Sequence, residues 1–394
     1  MDDSNAFRQE VRQWLEANCP ASMRGAGHED VVMAGTHASF ASEDQRIWFE
    51  RMRDRKWFAP DWPAEYGGGG LDTPRLRILE DELRRLRCRV PQVNLGIWML
   101  GPVLLEFGTE AQKQQFLPPM TRGEVGWCQG FSEPNAGSDL ASLGTSARAE
   151  GEHYVVSGAK IWTSGADKAD WMYALVRTDP AAPKHEGISL LLVDMRSPGI
   201  TVRPIELISG ASRFCQVFFD GVRVPRSNLI GPVNGGWTVA KRLLQHERSA
   251  MSKMGDLNLP AQVDLVPAVQ RFLAGGTTPG DAAIRQRAVA CAMDQHAFHL
   301  TLDRMGQEAR ARQDVSGLMA IVKLLHTEQD KRRSAVIVDA MGNRGLGWDG
   351  DEFGEDELSI VRQWLLSYTL TIAGGSSEVQ LNIVAKRVLG LPGG

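Results

Sequence analysis

The hydrophobic period changes at about residue 123 and changes back at about residue 236, and this double switch limits the fold more than any single motif does. In the first stretch, residues 1–122, Phe7, Val11, Trp14 and Leu15 recur at helical spacing, as do Ile47, Phe49 and Met52. A Pro/Gly-rich segment from Pro60 to Gly70 ends in four consecutive glycines, a loop that bends tightly or lets something approach its backbone. Pro74 is placed to open the next helix at its first turn. The arginines at 75, 77, 84, 85, 87 and 89 are interleaved with Glu80, Asp81 and Glu82, which favours a solvated, salt-bridged face over a phosphate site. Residues 123–235 instead carry short β-branched and aromatic runs at 153–156, 171–176, 188–193, 200–202 and 216–219, separated by turn residues, and these predict an antiparallel β module. Residues 236–394 return to helical spacing over 237–254, 282–312, 316–341 and 357–374. The pattern weakens over 255–280, and Gly275–Gly280 reads as a loop. The predicted fold is α+β, mainly α: an N-terminal helical domain (1–122), a middle antiparallel β domain (123–235) and a C-terminal helical bundle (236–394).

Composition narrows the class of function without naming a chemistry. The 394 residues are 43% apolar and 23% charged, as in a folded globular chain. A net charge of −4 speaks against a dedicated nucleic-acid surface. The five cysteines are dispersed, with no CxxC pair, which suits a reducing compartment. The eight histidines show no metal-ligand grouping, so no metal site is expected. No apolar run approaches the ~20 residues that span a bilayer, and the acidic start, Met1-Asp2-Asp3-Ser4, is unlike a signal or transit peptide. The expectation is a cytoplasmic protein. Only 10 of the 44 basic residues are lysines, which points weakly to a GC-rich bacterial genome. No G-x-G-x-x-G follows a strand, and GxxxxGK, HExxH and G-x-S-x-G are missing, which disfavours Rossmann, P-loop, zincin and α/β-hydrolase chemistries.

Four segments are candidates for chemistry. Gly130–Asp139 combines small residues, a proline and two serines, either as an ordinary β connection or as a loop facing a flat polar ligand. In Gly158–Gly165, Trp162 beside Thr163 and Ser164 is either a core tryptophan or a ring that lies against another aromatic system. Glu247 is a carboxylate on an apolar stripe. At ~100° per residue, Ala240, Leu243, Leu244, Ala250, Met251 and Met254 fall on its side of the 237–254 helix, while Lys241, Arg242, Gln245 and Arg248 fall elsewhere. Such a carboxylate is a general base with a raised pKa or one half of a structural ion pair. Finally, Ile372–Gln380 contains two glycines after a helical stretch, and Ser377 with Gln380 has capping-box spacing. It is either a helix–helix corner or a loop whose free N–H groups hold a carbonyl or phosphate.

Together these segments resemble the acyl-CoA dehydrogenase family over nearly the whole chain. Ser132–Asp139 looks like the T/S-E-P-x-A-G-S-D signature, and Lys160–Gly165 like the flavin-stacking K-x-W segment. Phe218–Pro225 is similar to the F-x-x-V-x-V-P hairpin, and Gly374–Gln380 to G-T-S-E-I-Q. The resemblance implies FAD as cofactor, held by Gln129, Phe131, Ser132, Gly137, Ser138, Trp162, Thr163, Ser164 and Ser376. It implies an acyl-CoA substrate met by Ser138 and Arg248. Many relatives carry the base as the Glu of Y-E-G-T, and that position is Gly374 here. A subset that includes isovaleryl- and long-chain-type enzymes carries it on the helix after the β domain, as the Glu of an E-R pair, which Glu247-Arg248 matches.

The implied reaction is α,β-dehydrogenation to the trans-2-enoyl-CoA. Glu247 takes the α-proton, the flavin N5 accepts the β-hydride, and the Gly374 N–H steadies the thioester carbonyl. The setting would be fatty-acid or steroid side-chain β-oxidation, with an electron-transfer flavoprotein as acceptor and a homo-oligomer, dimer or tetramer, as the assembly. Two family motifs for the neighbouring subunit's FAD are altered: no R-x-Q-F-G lies in 256–280, and Q-x-x-G-G-x-G reads Asp339-Ala340-Met341-Gly342-Asn343-Arg344-Gly345. A heteromer with a paralogue is therefore an alternative. A flavin oxidase or monooxygenase on the same scaffold and a non-catalytic subunit are the competing readings.

Overall fold

Among the described residues, five α-helices form the N-terminal part: α1 (Asp3–Asn18), α2 (Glu43–Asp54), α3 (Thr73–Arg85), α4 (Gly101–Phe107) and α5 (Glu110–Thr121). Each of α2, α3 and α5 begins where a side chain accepts from an otherwise unpaired N–H: Ser42 from Gln45, Asp72 from Arg75 and Thr109 from Gln112. Pro74 sits in the first turn of α3, as predicted. Val11, Leu15, Trp48, Met52 and Leu79 close one core between α1, α2 and α3. In the glycine run, a Cβ on Gly68 would fall 2.2 Å from the Trp62 carbonyl oxygen, so it is the chain's own backbone that approaches there. Arg75 and Arg84 pair with Asp3 and Asp81 on the surface. Glu82 departs from the solvated-face reading. It is buried and held by Arg8, Arg12 and Arg85, whose hydrogen bonds, that of Arg12 foremost, bring its carboxyl down to about 2.

The structure, a computed structural model, describes residues 3–25, 32–254, 263–311, 313 and 315–392, with the side chains of 247–254, 309, 310 and 316 outside that description. The middle sheet contains β1 (Trp127–Gly130), β2 (Ser146–Glu150), β3 (His153–Ser164), β4 (Trp171–Arg177), β5 (Ile188–Asp194), β6 (Ile200–Ile205), β7 (Phe214–Pro225) and β8 (Leu229–Ile230). Its order is β6-β7-β3-β2-β4-β5-β8, with β1 beside β4. Most pairs are antiparallel as expected, but β1 and β2 both run parallel to β4. Neither strand stands out in the sequence. β2 is Ser-Ala-Arg-Ala-Glu with only Ala147 buried, so it carries almost no apolar signal.

Helices α6 (Gly236–Met254), α7 (Leu265–Phe272), α8 (Pro279–Arg310), α9 (Ser316–Met341), α10 (Glu355–Leu370) and α11 (Ser377–Ile383) complete the chain. α7 lies in the stretch where the periodicity faded; it is eight residues long and buries Leu265, Ala268 and Val269. No described helix is long and apolar enough to cross a membrane. Two compact units divide the chain, Met1–Ile205 with Ser212–Ala261 and Glu206–Ala211 with Gln262–Gly394. α6 belongs to the first, where Val239, Ala240 and Leu243 share a core with Leu190 and Leu192 of β5.

Candidate active site

In the first unit the sheet brings two of the predicted segments together. The Ser132 carbonyl accepts from the Ile161 N–H at 2.9 Å, so the loop after β1 lies along the end of β3. Beneath this contact is a buried cation. Lys160 is fully buried, and its ammonium donates to the Phe131 carbonyl at 3.1 Å and to Glu133 at 2.7 Å. Glu133 also accepts from the Gly144 and Thr145 N–H groups at 2.7 and 2.9 Å. Burial pushes the Lys160 ammonium down to about 8 against the pull of Glu133. Burial acts upward on Glu133, but the Lys160 charge and these donors hold its carboxyl below the usual range. A half-buried carboxylate with three donors, one of them a fully buried ammonium, is a rigid anchor, and it fixes the loop from below.

The surface above this anchor has unspent polar groups. Among the described residues, the Ser132 N–H reaches no acceptor and no hydrogen bond uses the Ser132 or Ser164 hydroxyl. Phe131 is buried with its ring edge-on to Tyr173, 6.1 Å between centroids, so it can offer only its backbone. Gln129 accepts from the Tyr173 hydroxyl at 3.3 Å. The pairing of β3 with β7 slips between Lys160 and Thr163. Within that bulge Trp162 has a φ of +61°, rare for a bulky residue, and its side chain stands 54% exposed. Thr163 is buried and its Oγ1 has no hydrogen-bond partner. A reciprocal Glu133–Ala136 turn leads to Gly137 and Ser138, both exposed; a Cβ on Gly137 would touch nothing within 4 Å. Asp139 ends the loop by accepting from Ser142 and Lys184.

Glu247 and Arg248 fall on α6, and their side chains lie outside the described residues. One turn earlier, Leu243 is buried and Leu244 half-buried, while Lys241, Arg242 and Gln245 are exposed. The amphipathic division read from the sequence therefore holds over the described part of the helix.

In the second unit, Gly374 and Gly375 take φ values of +67° and +95° between α10 and α11. The capping box predicted from Ser377 and Gln380 does not form, and a simple N-cap stands one residue earlier. Ser376 is the N-cap and accepts from the Val379 N–H, while the Ser377 hydroxyl donates to Glu328 at 2.6 Å. The neighbouring side chain supplies the reason, since Glu328 on α9 offers Ser377 a charged acceptor. The Gly374 carbonyl accepts from the Gln380 amide at 3.2 Å and the Gly375 carbonyl from the Lys323 ammonium at 2.7 Å. Among the described residues, the N–H groups of Gly374, Gly375 and Ser376 reach no acceptor. Of the two altered motif residues, Asp339 and Asn343, Asp339 is bound within this unit to Arg287, and Arg344, beside Asn343, is bound to Glu357.

The acyl-CoA dehydrogenase N-terminal domain model matches residues 1–124, the middle domain model 128–222 and the C-terminal domain model 234–389. The acyl-CoA dehydrogenase IpdE1 of Mycobacterium tuberculosis is 35% identical over 402 residues, covering 100% of this chain and 99% of that protein. The chain belongs to the acyl-CoA dehydrogenase family. A second relative, acyl-CoA dehydrogenase FadE34 of the same organism, is 38% identical over 94% of this chain but 49% of its own length. A solved structure described as the Tcur3481-Tcur3483 steroid ACAD is 28% identical, covers 99% of this chain and 98% of that chain, and has a TM-score of 0.74. This protein is thus an acyl-CoA dehydrogenase with the family's three-domain fold, and the family is flavin-dependent.

Sequence reasoning missed two supporting groups. Lys160 and Glu133 both stand in quoted motifs, yet nothing in a linear sequence pairs residues 27 positions apart. Asp170 accepts from the Thr36 N–H at 3.0 Å, the Thr36 hydroxyl and the Gly126 N–H at 2.8 Å, tying the N-terminal segment to the start of the β domain. An isolated surface-type aspartate before a strand carries no signal of that role.

Proposed function

We propose that this enzyme binds FAD and dehydrogenates an acyl-CoA thioester at its α and β carbons, with Glu247 as the α-proton base. The observation that carries the reading is the surface over the Lys160–Glu133 anchor. It presents an unspent N–H and hydroxyl at Ser132, an unspent hydroxyl at Ser164 and an exposed indole at Trp162, a set that fits a planar ring with a polar edge. Gln129, Phe131 and Ser132, together with Trp162, Thr163 and Ser164, are the groups assigned to hold the flavin, with Gly137, Ser138 and Ser376 as further contacts. The bound flavin would supply the acceptor for the β-hydride. The protein's own part is to hold the thioester and move one proton. Helical spacing assigns Glu247 to the face of Leu243 and Leu244, an apolar setting that raises a carboxylate's basicity. The unspent Gly374 N–H is assigned to the thioester carbonyl, where a hydrogen bond strengthens as enolate charge develops. Arg248 and Ser138 are assigned to the CoA portion.

The deciding experiment adds a panel of CoA thioesters, isovaleryl, octanoyl, palmitoyl and a steroid side-chain acid, to the purified enzyme without oxygen and follows flavin bleaching. Rapid bleaching by one of them supports the assignment, and no bleaching by any overturns it. Glu247→Gln is expected to keep FAD and lose at least ~10³ in turnover, the scale of an essential base; near-normal turnover removes Glu247 from the role. Electrons then pass to an electron-transfer flavoprotein, and oxygen uptake without that partner would indicate the oxidase reading instead.

A second reading concerns assembly. Asp339 and Asn343 stand at altered positions of a motif that serves a neighbour's FAD in relatives, and here Asp339 is committed to an ion pair with Arg287 within its own unit. The similar steroid ACAD is named for two proteins. A heteromer with a paralogous chain follows, and native mass spectrometry after co-expression tests it against a homo-oligomer.

A further inference from the structure

Lys323 has no part in the assignments above, yet it is committed to the glycine loop. It lies on α9, half-buried, with its ammonium 2.7 Å from the Gly375 carbonyl oxygen. A peptide unit is planar and trans, so the carbonyl of one residue and the N–H of the next point in opposite directions in one plane. Holding the Gly375 carbonyl toward α9 therefore turns the Ser376 N–H away from α9. The Gln380 amide on α11, at 3.2 Å from the Gly374 carbonyl, in the same way turns the Gly375 N–H away from α11. The third tether, Ser377 to Glu328 at 2.6 Å, pins the end of the loop to the same helix. Both glycines have positive φ, a conformation in which glycine is free to leave its native geometry. The loop's direction must then come from these tethers. Gln380 holds the loop from within its own segment, whereas Lys323 and Glu328 reach it from a different helix.

We propose that Lys323 is a positioning residue: it holds the Gly375–Ser376 peptide with its N–H away from α9 and so fixes the Gly374–Ser376 loop in the conformation that leaves the Gly374 N–H to a thioester carbonyl. The proposal rests on the reading that this loop binds the carbonyl. Lys323 touches no reacting atom; it acts through the Gly375–Ser376 peptide. The acidic groups near it are Glu328 on its own helix and Glu378 on α11. Burial lowers the Lys323 pKa against the pull of both, so the ammonium is bound there by geometry at some desolvation cost.

The test uses full-length holoenzyme and the CoA thioester that bleaches its flavin fastest, alongside the matching S-alkyl-CoA thioether, which lacks the carbonyl. Lys323→Met is expected to lower kcat about tenfold with KM changed much less, and to reduce the binding preference for thioester over thioether. Lys323→Arg restores a donor of sufficient reach and is expected to recover most of both. A lysine that only stabilised α9 would lower Tm and leave the thioester preference unchanged, and that result overturns the proposal. If Gly374→Ala lowers kcat while Lys323→Met leaves it within twofold, the loop reading stands and the Lys323 role falls. If neither variant alters kcat or the preference, the carbonyl is held elsewhere and both fall. Should Lys323→Met not fold, Lys323→Ala, which likewise removes the donor, gives the same comparison, and wild-type preference in it counts against the proposal.

Discussion

The two polar surfaces assigned to substrate and cofactor are held in opposite ways. In the β domain the loop 131–139 is fixed from beneath by a buried charge pair, with Lys160 fully enclosed and Glu133 accepting from two further N–H groups. In the second unit the loop 374–376 has glycine backbone at positive φ, exposed Gly374 and two carbonyls held by single donors. The first is a rigid seat that resists change until its anchor breaks. The second is adjustable, and each tether contributes separately. A seat suits a cofactor that stays bound, and an adjustable loop suits a carbonyl that arrives, changes charge and leaves.

Breaking the seat should have the largest effect. Lys160→Met leaves the half-buried Glu133 charged without its cation, which costs about 2–3 kcal/mol, below the ~3–5 kcal/mol of a fully buried pair, read by chemical denaturation. Adding Glu133→Gln should return part of that loss, because the Gly144 and Thr145 donors keep an acceptor; no recovery would mean that the charge pair is not the anchor. On the adjustable side, Gly374→Ala imposes a side chain at φ +67°. The strain of ~1–2 kcal/mol, relieved where the loop shifts, predicts roughly a tenfold fall in kcat by stopped-flow bleaching, with a loss of folding stability no larger than that strain. A large drop in stability instead would erase the distinction between seat and loop.

The pH dependence sharpens the same contrast. The Lys160 pKa is about 8 folded against 10.5 in the free side chain. Below 8 both states carry the proton. Between 8 and 10.5 the unfolded chain binds it and the folded chain does not, so this group adds stability as pH rises, by at most about 1.4 kcal/mol per pH unit. The wild-type curve should rise relative to that of Lys160→Met over this window, and parallel curves would refute the assignment. Smallest is Ser132→Ala, which removes one hydroxyl from the seat and should weaken FAD binding about fivefold, close to 1 kcal/mol, measured by flavin fluorescence on dilution.

The sequence made the helical, β and helical order legible because Val11 with Leu15, Leu190 with Leu192 and Leu243 with Leu244 keep distinct periods. It missed β1, β2 and α7 for one shared reason: four, five and eight residues are too few for a period to emerge. Of the candidate site, Ser132, Trp162 and Gly374 were readable because their motifs are local. The sequence does not decide whether Trp162 is core or surface, since a bulge after Lys160 decides it and bulges leave no mark in composition. The supports at Lys160, Asp170 and Lys323 were not readable. Each acts on backbone far along the chain, and a carbonyl or N–H has no letter in the sequence. Cys19 and Cys88 teach the same lesson: read as dispersed, they share one buried cluster.

The hairpin tip Glu206–Ala211 between β6 and β7 belongs to the second unit, although the residues on both sides belong to the first. Gly210, at φ +75°, lies where a Cβ would come 3.1 Å from the Trp348 ring. The border between the units is therefore stitched, because the chain crosses it and returns before α6 begins. A chimera that takes residues 262–394 from one relative and the rest from another would inherit Trp348 without the glycine that accommodates it. Recombination between such enzymes should succeed only when this six-residue patch travels with the C-terminal helices, so the unit that evolution can exchange is discontinuous in the gene.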